Sequence, residues 1–166
     1  MSSDVNNQND ISHIIDNIYL GNVKGGTNLE LLKELNIKAV VRILNPDNIL
    51  MHRLRDITNN DDQNNGDQHN INYHYIDLYD HPHDYLIKYL NKFINFMEEN
   101  KDKNILIHCM MGISRSASFT ILYLIKKYFM TFDEAVKFVK DKRNIINPNG
   151  GFLYQIKKYH DTMFDT

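Results

Sequence analysis

The sequence predicts an α/β fold, a central, mostly parallel sheet flanked by helices, and three observations predict it. Short runs rich in β-branched residues alternate along the chain with longer segments whose apolar residues recur at helical spacing, the order that lays a sheet between helices. The run Asn104–His108 (NILIH) is too brief for a helix, and its apolar interior suits a strand buried on both faces. The 166 residues, 42% hydrophobic and 24% charged, match one folded domain whose core needs neither disulfides nor a structural metal.

The elements follow in chain order. Ile14–Leu20 (IIDNIYL) reads as short extended segments ending at Gly21. Thr27 and Glu30 stand at capping-box spacing, with Leu29, Leu31, Leu32 and Leu35 at helical spacing behind them. Ile37–Leu44 (IKAVVRIL) is a strand closed by the turn signal Asn45-Pro46. The stretch Asn59–Asn72 (NNDDQNNGDQHNIN) is polar and interrupted by Gly66. The chain holds 22 Asn, 20 Ile and 14 Lys against 5 Arg and 3 Ala, a bias toward A/T-rich codons, so this stretch reads as a surface insertion rather than a motif. Tyr73–Leu78 is a further strand, followed by a loop, Tyr79–His83, that contains Pro82. From Asp84, a candidate N-cap, to Asn100, one helical face carries Leu86, Leu90, Phe93, Ile94 and Met97. Helices are then expected over Ser114–Phe129, over Phe132–Arg143 behind a Thr131/Glu134 capping box, and over Gly151–Met163. Residues 1–10 read as a polar tail and 11–166 as one domain, with an Asn-rich loop near residues 57–72.

Composition narrows the function classes. A formal net charge of −2 argues against general nucleic-acid binding. The longest strongly apolar stretch, Ala117–Ile125, is about half of what spans a bilayer, and the opening MSSDVNNQNDIS lacks the features of a signal peptide. A single cysteine excludes an internal disulfide and points to a reducing, intracellular and cytoplasmic setting.

The chemistry lies where the buried strand ends, at Cys109-Met110-Met111-Gly112-Ile113-Ser114-Arg115-Ser116. A strand, a tight turn with a glycine and a helix start gather backbone N–H groups around one point, and the helix N-terminus adds partial positive charge. The result is an anion cradle of phosphate size, formed by Met110, Met111, Gly112, Ile113 and Ser114. Cys109 opens it, and Arg115 closes it with a guanidinium that can grip two phosphate oxygens. A free cysteine, of pKa about 8.5, is only about 3% thiolate at pH 7, and making it mostly thiolate takes about 4 kcal/mol. Hydrogen bonds to a charged group contribute about 1.5–3 kcal/mol each, so two donors and a helix end suffice. Ser116 is placed to be one donor and to stabilise the thiolate as a leaving group.

The string HCMMGISRSA, His108–Ala117, matches H-C-x5-R-S and resembles most closely the HCxxGxSRSA loop of the dual-specificity protein phosphatases, of the cysteine-dependent tyrosine phosphatase superfamily. The likeness continues in Ile11-Ser12 with Ile18-Tyr19-Leu20-Gly21-Asn22, in Ile37–Asn45, and in Pro148-Asn149-Gly150-Gly151-Phe152 with Gln155-Ile156. Only the first ten or so residues and the Asn-rich stretch, longer than is usual in the family, fall outside it. The match is to small, single-domain members.

This resemblance implies a two-step hydrolysis of phosphoric monoesters. Cys109 attacks phosphorus while an acid protonates the leaving oxygen; the same group then acts as base for the water that hydrolyses the phosphocysteine. Arg115 and the amides of residues 110–114 hold the equatorial oxygens. Three carboxylates compete for the proton transfer. Asp77 lies inside a strand at a solvent-facing position and Asp84 begins a helix, whereas Asp80 sits on the Pro82 loop, where the family keeps its general acid. Asp80 is therefore the expected acid and Asp84 the second choice. His108 is expected to orient the loop and tune Cys109 by hydrogen bonding, not to act as the base. His81 and His83, with His74 nearby, lack a third ligand at suitable spacing, so no metal and no cofactor is expected.

The expected partners are phosphoprotein substrates carrying phosphotyrosine and phosphoserine/threonine. A phosphoinositide or RNA 5′-phosphatase on the same scaffold tends to carry Lys or His in the loop, where Met110, Met111, Ile113 and Ser114 stand here. A non-catalytic, phosphoprotein-binding pseudophosphatase would lack one of Cys109, Arg115 and Asp80, and all three are present.

Overall fold

The computed structural model describes residues 9–61 and 70–165. Five strands, β1 (Ile11–Ile15), β2 (Ile18–Gly21), β3 (Ile37–Leu44), β4 (Asn72–Asp77) and β5 (Asn104–His108), form one sheet in the order β1-β2-β5-β3-β4. β2, β5, β3 and β4 are parallel neighbours, and β1 pairs antiparallel with β2 through a turn in which Asp16 takes a φ of 47°. Parallel neighbours need crossovers, and helices supply them. α1 (Val23–Gly26) and α2 (Leu29–Glu34) link β2 to β3, and α3 (Ile49–Asp61) follows β3. A 3₁₀ turn (Leu86–Tyr89) and α4 (Leu90–Glu99) lie between β4 and β5, and α5 (Arg115–Tyr128), α6 (Phe132–Lys142) and α7 (Gly150–Phe164) complete the chain.

The two faces of the sheet bury different sets. Val41 and Ile43 of β3 with Ile105 and Ile107 of β5 pack against Phe93, Met97, Phe119 and Leu122. Val40 and Leu106 pack on the other face against Leu31 and Leu32. Each such fully buried side chain contributes about 1.5–3 kcal/mol, and β5 and α5, which flank the loop between them, are both buried almost throughout. α5 is buried continuously from Arg115 to Ile125, so its sequence shows no polar face. Because the sheet is parallel, the C-terminal ends of β3, β4 and β5 lie at one edge, and the loops that follow them converge there.

The structure departs from the sequence reading at four places. Thr27 does not cap a helix: Asn28 does, accepting the Leu31 N–H at 3.1 Å, and Thr27 instead closes α1. An unexpected helix, α3, starts where Asn48 Oδ1 accepts the Leu50 N–H at 2.8 Å and runs to Asp61, while β4 begins at Asn72. Residues 57–61 and 72 of the expected Asn-rich loop thus belong to regular elements, and residues 62–69 lie outside the described residues. Asp84 does not cap the following helix either. The Leu86 N–H is taken by Gln155 Oε1 at 2.9 Å, the first turn is 3₁₀, and the α-helix starts at Leu90. Asp77 is half-buried rather than simply solvent-facing, and its Oδ1 accepts from Arg55 of α3 at 2.8 Å. At the N-terminus, residues 1–8 lie outside the described residues, whereas Asp10 is tied to the fold by the Asn22 backbone N–H at 2.9 Å and the Asn22 amide at 3.0 Å. Among the described residues no helix is long and apolar enough to cross a membrane.

Candidate active site

β5 ends at His108 and α5 starts at Arg115, so residues 109–114 must carry the chain from strand to helix. The turn is made at Gly112, whose φ of 67° is left-handed and whose Cβ, if present, would come within 2.6 Å of Arg143 Nη2 and 2.7 Å of the Gly21 oxygen. The carbonyls of the loop are held from outside. His108 Nδ1 lies 3.2 Å from the Cys109 oxygen, Val23 N–H donates to Met110 at 3.1 Å, Arg143 Nε to Gly112 at 2.9 Å, and Asn147 N–H to Ile113 at 2.8 Å. The peptide is planar and trans, so a carbonyl turned outward turns the next N–H inward; these are the N–H groups of Met110, Met111, Ile113 and Ser114. Together with the start of α5 they form a nest of donors suited to an anion.

Cys109 is buried at the floor of this nest, 2% exposed. Its Sγ accepts the Gly112 N–H at 3.3 Å and lies 3.0 Å from Ser116 Oγ. A thiolate has no proton to give, so with the sulfur ionised the Ser116 hydroxyl is the donor. Arg115 Nη1 donates to Asn45 Oδ1 at 2.6 Å and to the Leu78 carbonyl at 2.9 Å, which fixes the guanidinium between the loops that follow β3 and β4.

Asp80 lies on the loop after β4 and its Oδ1 accepts from Asn149 Nδ2 at 2.8 Å. Asn149 also caps α7, taking the Phe152 N–H at 2.9 Å, and its own N–H donates to Ser114 Oγ at 3.0 Å. The α7 start therefore connects the Asp80 loop to the cysteine loop. Gly151 lets the two segments meet, since a Cβ there would collide with the Pro82 carbonyl. Asn45, Tyr79, Asp80, His81, Asp84 and Arg115 line an open cleft of about 390 Å³. The structure thus places Cys109 and residues 110–114 in one loop, Arg115 and Ser116 in the first turn of the α5 helix that follows it, and Asp80 together with Arg115 on the lining of the cleft. The His83 N–H donates to His81 Nδ1 at 3.1 Å in a local turn, and the two rings stand 5.3 Å apart.

Residues 18–162 match the model of the family described as dual specificity phosphatase, catalytic domain. The chain belongs to the dual specificity phosphatase family. A Dictyostelium discoideum protein named a probable dual specificity protein phosphatase is 34% identical over 152 residues, which is 91% of this chain and 34% of that protein. Human dual specificity protein phosphatase 16 is 34% identical over 154 residues, 89% of this chain and 20% of that protein. The chain thus spans about a third or less of the length of these relatives. The crystal structure of a human tyrosine phosphatase-like serine/threonine/tyrosine-interacting protein is similar with a TM-score of 0.76 at 25% identity, covering 95% of this chain and 99% of that one.

In this dual specificity phosphatase domain, three residues around the loop have roles that no local pattern assigns. Arg143 is buried behind Gly112 and also donates to Ser12 Oγ at 2.9 Å; its Nη2 is buried with no partner, and burial pulls its pKa below the usual arginine range. Asn149 holds Asp80 from α7. Arg42 of β3 is buried against His108, whose pKa is lowered to about 3 by burial first and by the Arg42 charge second. His108 is therefore a neutral, fully buried support of the loop.

Proposed function

We propose that this domain hydrolyses phosphotyrosine and phosphoserine/threonine in protein substrates through a phosphocysteine intermediate on Cys109. The observation that carries this reading is the sulfur beneath an anion nest, with Gly112 N–H at 3.3 Å and Ser116 Oγ at 3.0 Å. In the first step the Cys109 thiolate forms the S–P bond as the P–O bond to the substrate breaks, and the Asp80 carboxyl gives its proton to the leaving oxygen. In the second, water attacks phosphorus and passes a proton to Asp80, and the thiolate leaves with the Ser116 hydroxyl donating to it. Arg115 and the inward N–H groups hold the equatorial oxygens in both, a contribution of about 10²–10³-fold for each well-placed donor.

The cleft supports phosphopeptides over more highly charged substrates. Its lining sets Asp80 and Asp84 against Arg115, so a second phosphate beside the first would face carboxylates. Met111, 63% exposed, offers an apolar rim for a phosphorylated side chain. A side-by-side assay of phosphotyrosine and phosphoserine/threonine peptides, phosphoinositides and 5′-phosphorylated RNA, with Cys109→Ser as the blank, tests this reading. Phosphopeptides are expected to give the highest kcat/KM, and a larger value for either of the other two classes overturns the assignment.

A further inference from the structure

We infer that Arg42 is a positioning residue for the active-site loop: it fixes His108 as the neutral Nδ1–H tautomer and, through it, holds the Cys109 carbonyl outward. The inference rests on the reading of Cys109 as the nucleophile only for its kinetic consequence; the tautomer itself stands on geometry.

β3 and β5 are neighbours, and their register sets Arg42 opposite His108. Both are buried, at 2% and 0% exposure. A buried arginine ordinarily faces a carboxylate. Here the partners are neutral: Nε donates to His108 Nε2 at 3.0 Å, Nη2 to the Gly26 carbonyl at 3.0 Å, and Nη1 to the Tyr75 hydroxyl at 3.5 Å. The guanidinium carbon also lies over the Tyr73 and Tyr75 rings, 4.8 and 5.7 Å from their centroids.

A guanidinium has donors only and keeps its charge at every working pH. His108 Nε2 must therefore present its lone pair, which puts the ring proton on Nδ1. The Cys109 carbonyl, 3.2 Å away, has only lone pairs to offer and accepts that proton. The alternative ring orientation would place a carbon against Arg42 Nε. Gly26 closes the remaining side, since a Cβ on it would collide with the imidazole. Of the elements packed around the ring, β3 brings the Arg42 charge and the loop brings Cys109, while α1 brings backbone and β4 brings a phenol that reaches the far side of Arg42. Holding the Cys109 carbonyl outward aims the Met110 N–H into the nest. A lysine at position 42 has no planar fork to serve three separated acceptors, and a neutral residue would free the ring.

Two-bond ¹H–¹⁵N correlation spectra of the wild-type domain, with the His108 signals assigned by their loss in His108→Gln, test the tautomer without altering Arg42. From about pH 8 to about pH 5 His108 should remain neutral with its proton on Nδ1. A proton on Nε2, or a titration midpoint close to that of the exposed histidines, overturns the inference. In Arg42→Met the ring should lose its fixed tautomer or begin to titrate within that range, and kcat should fall roughly 10–100-fold while KM moves less than about threefold. Arg42→Lys should not rescue it. A folded Arg42→Met with an unchanged His108 spectrum and kcat within about twofold of wild type contradicts the positioning role. If Arg42→Met fails to fold, the wild-type spectrum decides. Turnover by Cys109→Ser would remove the nucleophile reading and leave the tautomer result standing.

Discussion

The Asn149 side chain donates a 2.8 Å hydrogen bond to Asp80 Oδ1 while its own amide oxygen caps α7. One residue thus serves a helix start and the proposed general acid. Asp80→Asn should lower kcat/KM by about 10²–10⁴-fold for phosphotyrosine peptides and flatten the basic limb of its pH profile, with much less effect on an activated aryl phosphate. Asn149→Ser keeps a capping oxygen but is too short to reach Asp80, so it should show the same leaving-group bias at smaller size. Asp77→Asn, which weakens the bridge to Arg55, and Asp84→Asn should leave that bias intact. Measuring kcat/KM for both substrates across pH checks the set, and a selective loss in Asp84→Asn would move the acid to that residue.

Arg115→Lys should lower kcat/KM by at least about 10²-fold although the charge is kept. Arg115 Nη1 is already committed to Asn45 Oδ1 and the Leu78 carbonyl. An ammonium cannot keep that anchor and also offer a planar pair of donors to a phosphate. Near-normal kinetics in the lysine variant would mean that charge alone suffices.

Gly112→Ala tests the turn beneath the sulfur. A left-handed φ costs a non-glycine residue about 1–2 kcal/mol, and the added Cβ would press on Gly21 and Arg143. The loop must shift to make room, which carries the Gly112 N–H away from Cys109 Sγ. Thermal unfolding should report a lowered midpoint, and the rate of Cys109 alkylation by iodoacetate near neutral pH should fall. An unchanged alkylation rate would show that this N–H does not activate the sulfur.

Much of this architecture is legible in the chain because it is local. β3 and β5 have the expected bounds, since strands buried on both faces are written as near-continuous apolar runs. The Thr131/Glu134 capping box forms with both of its hydrogen bonds, at 2.9 and 3.1 Å. The cysteine loop is contiguous, so its chemistry can be read from one string. Arg42, Arg143 and Asn149 act across 66, 31 and 69 residues respectively, through register and packing that no local pattern encodes. Arg42 left a signal as a charge near the end of the apolar run IKAVVRIL, and Asn149 stands in the string PNGGF that carries the family likeness. α3 stayed hidden because its end, Asn59–Asp61, runs into the Asn-rich stretch, although Leu50, Met51, Leu54 and Ile57 stand at helical spacing, and Asp84 misled because Gln155, remote in sequence, serves the helix start in its place.

The buried His108 makes stability depend on pH. Above its ordinary pKa of 6.5 the ring is neutral in folded and unfolded chains alike and contributes no pH dependence. As pH falls below 6.5 the unfolded chain takes up a proton that the folded one refuses until about pH 3, so the native state loses stability across that window. The loss approaches about 1.4 kcal/mol per pH unit for this one group. Urea unfolding of wild type and His108→Gln between these limits should give a steeper decline in the wild type, and equal slopes would contradict a depressed His108 pKa.

Trapping the phosphoryl group on the protein decides whether Cys109 is the nucleophile. Wild-type domain turning over a ³²P-labelled phosphotyrosine peptide is denatured rapidly and its peptides are mapped. Label is expected on the peptide containing Cys109, with neither label nor turnover in Cys109→Ser. Label on another residue, or sustained turnover by Cys109→Ser, would contradict that role.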